Sequence, residues 1–134
     1  MKHILIHSQI PHQIKKQIEN KKLFNGCMID VETQIVWSKY INMNENSLYW
    51  VVPDNCYLSD IDDVVNNFPN VILIFWFVYM KNKSLYDEII EKYKDNVLNI
   101  DLFTTPDDIS LMVDENNQIN IEGLYLLDHM IRRF

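Results

Sequence analysis

The sequence Val71-Ile-Leu-Ile-Phe-Trp-Phe-Val-Tyr-Met80 runs for ten residues without a charge. It is short for a helix and rich in β-branched and aromatic side chains, which indicates a strand that is buried on both faces. It is also too short for a transmembrane helix, which needs about 20 apolar residues. Residues 71–80 therefore predict the central strand of an α/β sheet.

A helix and a second strand are predicted to follow this central strand. Ser84 is placed to cap the helix, with Asp87 and Glu88 in its first turn, where the helix dipole favours negative charge. Val97–Phe103 is predicted to be the next strand. A strand, a helix and a strand over residues 71–103 predict a parallel pair joined by a right-handed crossover.

The rest of the chain supplies the other elements of such a domain. An opening strand at Lys2–His7 is followed by a turn and by a helix that begins near Pro11, where the missing N–H of proline is tolerated. Strands are also predicted at residues 27–31 and 48–52, with a strand or an irregular turn at 35–41. A helix capped by Ser59 is predicted to run to Phe68, and a last helix is predicted at 124–133. Between residues 109 and 121 the pattern predicts a hairpin, for which a helix from Asp107 is the alternative. We therefore expect one three-layer, Rossmann-like α/β domain over residues 1–134, with a mostly parallel sheet and a C-terminal hairpin.

Length, composition and charge limit the classes of function. The chain has 134 residues, of which 48% are hydrophobic, which is enough for one packed core. Twelve Lys and Arg against 19 Asp and Glu give a net charge of −7. That balance argues against duplex nucleic acid as a partner, because such binding depends on neutralised phosphates. A small anionic ligand in a local pocket is still compatible with it.

Metal, redox and targeting signals are weak. Cys27 and Cys56 match no zinc pattern and are expected to be ordinary reduced thiols. His3, His7 and His12 have no accompanying cluster of carboxylates or cysteines, so no metal and no cofactor is expected. The apolar runs are too short for a signal peptide or a membrane span, which predicts a cytoplasmic protein.

Three segments are predicted to meet at the carboxyl edge of the sheet, where open parallel sheets bind ligands. They are His7-Ser8-Gln9, the loop at residues 79–84, and Thr104-Thr105. Their hydroxyls, lysines and helix N–H groups suit phosphate oxygens. No Gly-rich phosphate motif is present, and on motif evidence alone we favour the alternative that these residues cap helices and keep the surface soluble.

The C-terminus concentrates positive charge. Both arginines of the chain, Arg132 and Arg133, lie close to His129. Two interpretations have equal weight at this point. The arginines complement the dipole at the end of a helix, or they form an edge that grips an anion.

Four short motifs occur in a fixed order along the chain. They are Ile4-Leu5-Ile6-His7-Ser8-Gln9, Gln34-Ile35-Val36-Trp37-Ser38, Leu102-Phe103-Thr104-Thr105, and His129-Met130-Ile131-Arg132-Arg133-Phe134. This order resembles that of the small stand-alone CRISPR-associated ring nucleases, relatives of the CARF domain that act in antiviral defence. The sequence departs from that family in its central loop, Tyr-Met-Lys-Asn-Lys-Ser at residues 79–84, which is Gly-rich with an acidic residue in the family. It also has Gln9 where the family has His.

The resemblance implies a CARF-like domain and a homodimer that holds a cyclic oligoadenylate second messenger across its interface. In such enzymes the ribose 2′-hydroxyl attacks the neighbouring phosphate without a metal, while the protein orients the ring and stabilises charge. The implied catalytic residues are His129 and Ser8. The implied ligand-binding residues are Ser8, Gln9, Lys81, Lys83, Ser84, Thr104, Thr105 and Arg132.

Alternatives to ring cleavage stay open at this point. The departures at Gln9 and at residues 79–84 bear on catalysis more than on binding, so a protein that only sequesters the nucleotide is one alternative. Another is an immunity protein or antitoxin that neutralises a basic toxin, since a net charge of −7 steers association with a positive partner. A neighbouring toxin gene would favour the antitoxin, and neighbouring CRISPR genes would favour the nucleotide ligand.

Overall fold

The computed structural model describes residues 2–42, 47–53, 56–75, 83–98 and 119–133. Within these ranges five strands form one sheet in which every pairing is parallel. The strands are β1 (Lys2–His7), β2 (Met28–Glu32), β3 (Ser47–Val51), β4 (Ile72–Ile74) and β5 (Val97–Leu98), in the order β2-β1-β3-β4-β5. The helices are α1 (Pro11–Asn20), α2 (Leu58–Asn67), α3 (Lys83–Tyr93) and α4 (Ile121–Arg133), with a one-turn 3-10 helix at Trp37–Tyr40.

Helices cover both faces of the sheet, so the predicted three-layer α/β architecture is confirmed. On the face that we call the α1 face, Ile4 and Ile6 of β1 pack in one core with residues of α1 and α4. On the opposite face, the α2 face, Leu5 and Trp50 pack in a second core with α2 and α3. This division follows from the two-residue period of a strand, which sends alternate side chains to opposite faces.

The predicted elements at the start and middle of the chain are confirmed. The opening strand spans Lys2–His7, and α1 begins at Pro11, as the sequence predicts. The parallel pair expected over residues 71–103 is present as β4 and β5. The predicted strand positions at residues 76–80 and 99–103 and most of the predicted hairpin lie outside the described residues. At the end of that hairpin segment, Ile121 already begins α4.

Two predicted caps are wrong in detail. Helix α2 begins at Leu58, one residue before Ser59, and the Asp60 carboxylate accepts the N–H of Tyr57 at 3.0 Å. A carboxylate at this place satisfies a terminal N–H group and also meets the positive end of the helix dipole. Helix α3 begins at Lys83, so Ser84 lies inside its first turn and does not precede it.

Segment 35–41 adopts the irregular alternative. It contains the 3-10 helix Trp37–Tyr40 and no described strand. Within the described part of the chain, no helix combines the length and the apolar character that crossing a membrane requires.

Candidate functional site

The order of the strands identifies one place where a ligand site is expected. The chain continues from β1 to β2 on one side and from β3 to β4 on the other, so the order reverses between β1 and β3. In open parallel sheets, ligands bind outside the carboxyl ends of the strands at such a reversal. A cavity of about 420 Å³ lies at this point, on the α2 face. Its volume is within the range of small-molecule sites, about 300–1,000 Å³.

We call this space the switch-point cavity. Its lining comes from four parts of the chain. These are strand β1, strand β3, the segment after β2, and the first half of α2 with the residues before it. Its lining residues are His7, Gln34, Ile35, Trp37, Trp50, Pro53, Cys56, Asp60, Asp63 and Val64. The segment after β2 covers the sheet with only the single turn Trp37–Tyr40. A single turn covers less of a sheet face than an α-helix, which is consistent with open space beside α2.

Aromatic rings form one side of the switch-point cavity. The Trp37 ring meets the Trp50 ring edge to face, with 5.0 Å between centroids and 86° between planes. The His7 ring lies 6.0 Å from the Trp50 ring. Edge-to-face contacts of this kind hold aromatic rings in a defined orientation. The three rings thus hold one another in place on this side of the cavity.

Two polar atoms of this aromatic side lack partners. Trp50 Nε1 and His7 Nε2 are both buried and have no hydrogen-bond partner among the residues that the structure describes. Buried polar atoms without partners are rare, and each one in a native structure calls for an explanation. Trp50 is only 2% exposed, so its indole N–H cannot turn to bulk water. Both atoms belong to residues that line the same cavity.

His7 is held in its neutral form. Burial lowers the pKa of His7 below its ordinary value of 6.5, because the charged imidazolium is disfavoured away from water. A neutral imidazole donates one hydrogen bond and accepts another, whereas the indole of Trp50 can only donate. Trp50 is therefore a fixed donor, and His7 can serve either role.

The rim of the cavity on α2 is acidic. Asp60 and Asp63 both line it, and none of its described lining residues is Lys or Arg. Burial and the neighbouring Asp60 raise the pKa of Cys56 to about 12, so its thiol is protonated at neutral pH. A protonated thiol is a poor nucleophile, which argues against cysteine chemistry here. The cavity favours a neutral or positively charged part of a ligand over a phosphate.

Ser8 lies at the predicted edge, with its hydroxyl already engaged. Its Oγ accepts the N–H of Ile10 at 3.1 Å, and its own N–H donates to the Glu32 carbonyl at 3.0 Å. Ser8 is 2% exposed and does not line the cavity, whereas Gln9 beside it is exposed. Ser8 thus closes the turn that leads from β1 into α1.

The other predicted residues of the carboxyl edge are placed only in part. Ser84 is in the first turn of α3, and Lys83 is the first residue of that helix. Because β4 and β5 are parallel, this first turn lies toward the carboxyl edge of the sheet. Lys81, Thr104 and Thr105 lie outside the described residues.

Arg132 lies at the opposite edge of the sheet from Ser8. The Lys2 ammonium, at the start of β1, donates to the carbonyl of Ile131, and Arg132 pairs with Asp128 at 3.2 Å. Ser8 follows the other end of β1, about 17 Å away for a strand of this length. His129 is exposed on the same final turns of α4. Within one chain, therefore, His129 and Arg132 are not brought together with Ser8.

A second polar cluster lies on the α2 face, outside the cavity. His3 Nε2 and Asp30 Oδ2 are 2.9 Å apart, and the Tyr40 hydroxyl donates to the same Asp30 oxygen. Burial alone raises the pKa of Asp30, but hydrogen bonds from Tyr40 and His3 outweigh it, so the pKa lies below its ordinary value. This cluster fastens the turn Trp37–Tyr40 to β1 and β2.

The lowered pKa of Asp30 predicts a loss of stability in acid. A carboxyl group whose pKa is lower in the folded state than in the unfolded state stabilises the fold. This stabilisation is complete at pH values above the unfolded-state pKa, about 3.9, and is lost as the pH falls through the folded-state pKa. Below pH 4 we therefore expect the wild type to lose stability faster than Asp30→Asn in urea unfolding. Asp95→Asn, a change of equal charge in an exposed turn, is the control. Parallel pH profiles for Asp30→Asn and the wild type would contradict the expectation.

Comparison of the chain with protein-family models, with curated proteins and with solved structures finds no match. In the described ranges no group of three or more His, Cys, Asp or Glu is arranged to hold a metal ion.

Sequence reasoning missed most of the switch-point cavity. Of its residues, His7 belongs to a predicted edge segment, and Gln34, Ile35 and Trp37 belong to a stretch that carries the family resemblance. Trp50 is buried in the core of the α2 face, and the open space beside it depends on non-local packing.

Proposed function

We propose that the protein binds a cyclic oligoadenylate at the carboxyl edge of its sheet, with one adenine base in the switch-point cavity. The observation that carries the proposal is the cavity at the strand reversal, which has the aromatic side chains of His7, Trp37 and Trp50 in its lining. A heteroaromatic base presents a flat face on which such aromatic side chains stack. The ligand class itself comes from the sequence resemblance.

Size and charge support one base per cavity. About 420 Å³ suits one base, whereas a ring of several nucleotides is larger, so the remaining nucleotides lie outside the cavity. Phosphates also lie outside, because Asp60 and Asp63 on the rim would repel them. In the homodimer that we propose, two such cavities take two bases of one ring. His129 and Arg132 contribute to a shared site only if they come from the other subunit.

The experiment is incubation of the purified protein with labelled cyclic oligoadenylates of different ring sizes, without metal. Retention and cleavage are both followed. We expect retention, and Trp37→Ala should weaken it about tenfold or more, since stacking of a base on an aromatic side chain contributes about 1–3 kcal/mol. Met28→Ala, which removes an exposed apolar side chain at the start of β2, away from the carboxyl edge of the sheet, is the control and should leave retention unchanged.

The products of this incubation separate the functional alternatives. A linear product would extend the proposal to a ring nuclease. Retention without cleavage would mean a protein that sequesters or senses the nucleotide. Absence of retention with every ring size would overturn the proposal, and a protein partner would then become the leading hypothesis.

A further inference from the structure

One polar side chain in the lining of the switch-point cavity is accessible to a ligand and can both donate and accept hydrogen bonds. We infer that Gln34 selects the base in the cavity, by pairing its side-chain amide with an amino group that stands beside a ring nitrogen. The carbonyl oxygen of the amide accepts from the amino group, and its NH2 group donates to the ring nitrogen. This inference rests on the proposed function, because it assigns the residue that distinguishes adenine from other rings at that site.

Gln34 differs from the other polar residues of the lining in being both accessible and unused. It is exposed, and its amide makes no hydrogen bond to any residue that the structure describes. The ring nitrogens His7 Nε2 and Trp50 Nε1, in contrast, are buried and out of reach of a ligand. The Cys56 thiol lies 3.9 Å from the Asp60 carboxylate, so these two groups interact with each other.

The carboxylates of the rim do not make this selection. Asp60 and Asp63 only accept hydrogen bonds when they are ionised, so they attract any donor or cation alike. The amide of Gln34 is neutral and offers a donor and an acceptor side by side. Such a pair recognises an acceptor and a donor on one edge of a ring, as glutamine does with a ring nitrogen and the amino group of adenine in DNA.

The backbone around Gln34 holds its amide beside the aromatic side of the cavity. The next residue, Ile35, is 5% exposed in the core of the α2 face, which fixes the backbone at this point. Trp37 also lines the cavity, and its ring centroid lies 5.0 Å from that of Trp50 and 5.4 Å from that of Phe68. The same short segment thus supplies a ring for the face of a base and an amide for its edge.

The test compares adenosine with purine riboside, which is the same nucleoside without the amino group. Binding to the full chain is followed by titration in heteronuclear NMR spectra, in which Gln34→Met identifies the side-chain NH2 signals of Gln34. We expect adenosine to bind about fivefold tighter or more, because purine riboside cannot complete the pair with the amide. Adenosine should also shift those NH2 signals, which a merely structural role of Gln34 would leave in place.

Gln34→Met keeps the length of the side chain and removes both hydrogen-bonding groups. It should weaken the binding of adenosine about fivefold or more and bring the two nucleosides to nearly equal affinity. Gln13→Met, the same change at an exposed glutamine of α1 on the opposite face of the sheet, is the control and should preserve the preference. Both glutamines are exposed, so circular dichroism of each variant should show the wild-type fold.

The outcomes distinguish this inference from the proposed function. Equal binding of adenosine and purine riboside, binding of neither, or a preference that survives in Gln34→Met would overturn the inference even where a cyclic oligoadenylate is retained. A preference for adenosine that is lost in Gln34→Met, together with no retention of any cyclic oligoadenylate, would support the inference and overturn the ligand proposed above.

Discussion

Replacing Trp50 with alanine is expected to lower the free energy of unfolding by about 3–5 kcal/mol, the range typical of large aromatic side chains deleted from cores. Trp50 is 2% exposed and lies on β3, between β1 and β4 in the sheet. Its ring supports Trp37 at 5.0 Å and stands 6.0 Å from His7. Alanine would therefore enlarge the switch-point cavity and remove the contact that orients the turn Trp37–Tyr40.

Urea unfolding followed by circular dichroism measures this effect. Trp50→Phe is the matched variant, because it keeps an aromatic ring and removes the unpartnered indole N–H, so its loss should be much smaller. Trp37→Ala should also cost less than Trp50→Ala, since Trp37 is only half-buried. A loss of less than about 1 kcal/mol for Trp50→Ala would show that the walls of the cavity collapse without penalty and are not a rigid site.

The elements that sequence predicts best are those set by local pattern. Lys2–His7 is a short apolar run bounded by a turn and by Pro11, and both ends of β1 agree with the prediction. Ile14 and Ile18, four residues apart, are the buried positions of α1, as an amphipathic helix requires. In contrast, Ser59 and Asp60 are both plausible capping residues, and only the local geometry decides that the carboxylate of Asp60 serves.

The candidate site is less predictable because it depends on contacts between distant parts of the chain. Ser8 was expected to face a ligand, but its hydroxyl is used by the adjacent N–H of Ile10. The resemblance implied Arg132 as a ligand-binding residue, and the packing of α4 places it beside the start of β1. The cavity beside Trp50 has no sequence signature, because it depends on how the short turn after β2 packs over the sheet.

The second large effect is expected for Asp128→Ala, which should lower the free energy of unfolding by about 1–3 kcal/mol. Asp128 on α4 is 8% exposed, and its Oδ1 accepts the N–H of Phe24 at 2.9 Å in a buried environment. Without the carboxylate, that N–H would stay buried and unpaired. The bond joins residues that are 104 positions apart, so it ties the last helix to the turn that ends α1.

That turn is strained, which increases its dependence on Asp128. Lys22 and Phe24 have φ values of 52° and 56°, a left-handed conformation that costs a non-glycine residue about 1–2 kcal/mol. Phe24 is nevertheless 3% exposed and packs in the core of the α1 face. Burial of its ring and the bond to Asp128 together hold this conformation. Loss of the bond should let the turn relax and weaken the packing of Phe24.

Asp128→Asn separates the hydrogen bond from the charge. Asparagine keeps a carbonyl oxygen for the N–H of Phe24 and loses only the ion pair with Arg132, whose side chain is 63% exposed. Exposed ion pairs contribute little, so Asp128→Asn should retain most of the stability in urea unfolding. Equal losses for the asparagine and alanine variants would mean that the charge of Asp128, and not its bond to Phe24, stabilises the junction of α4 with the turn after α1.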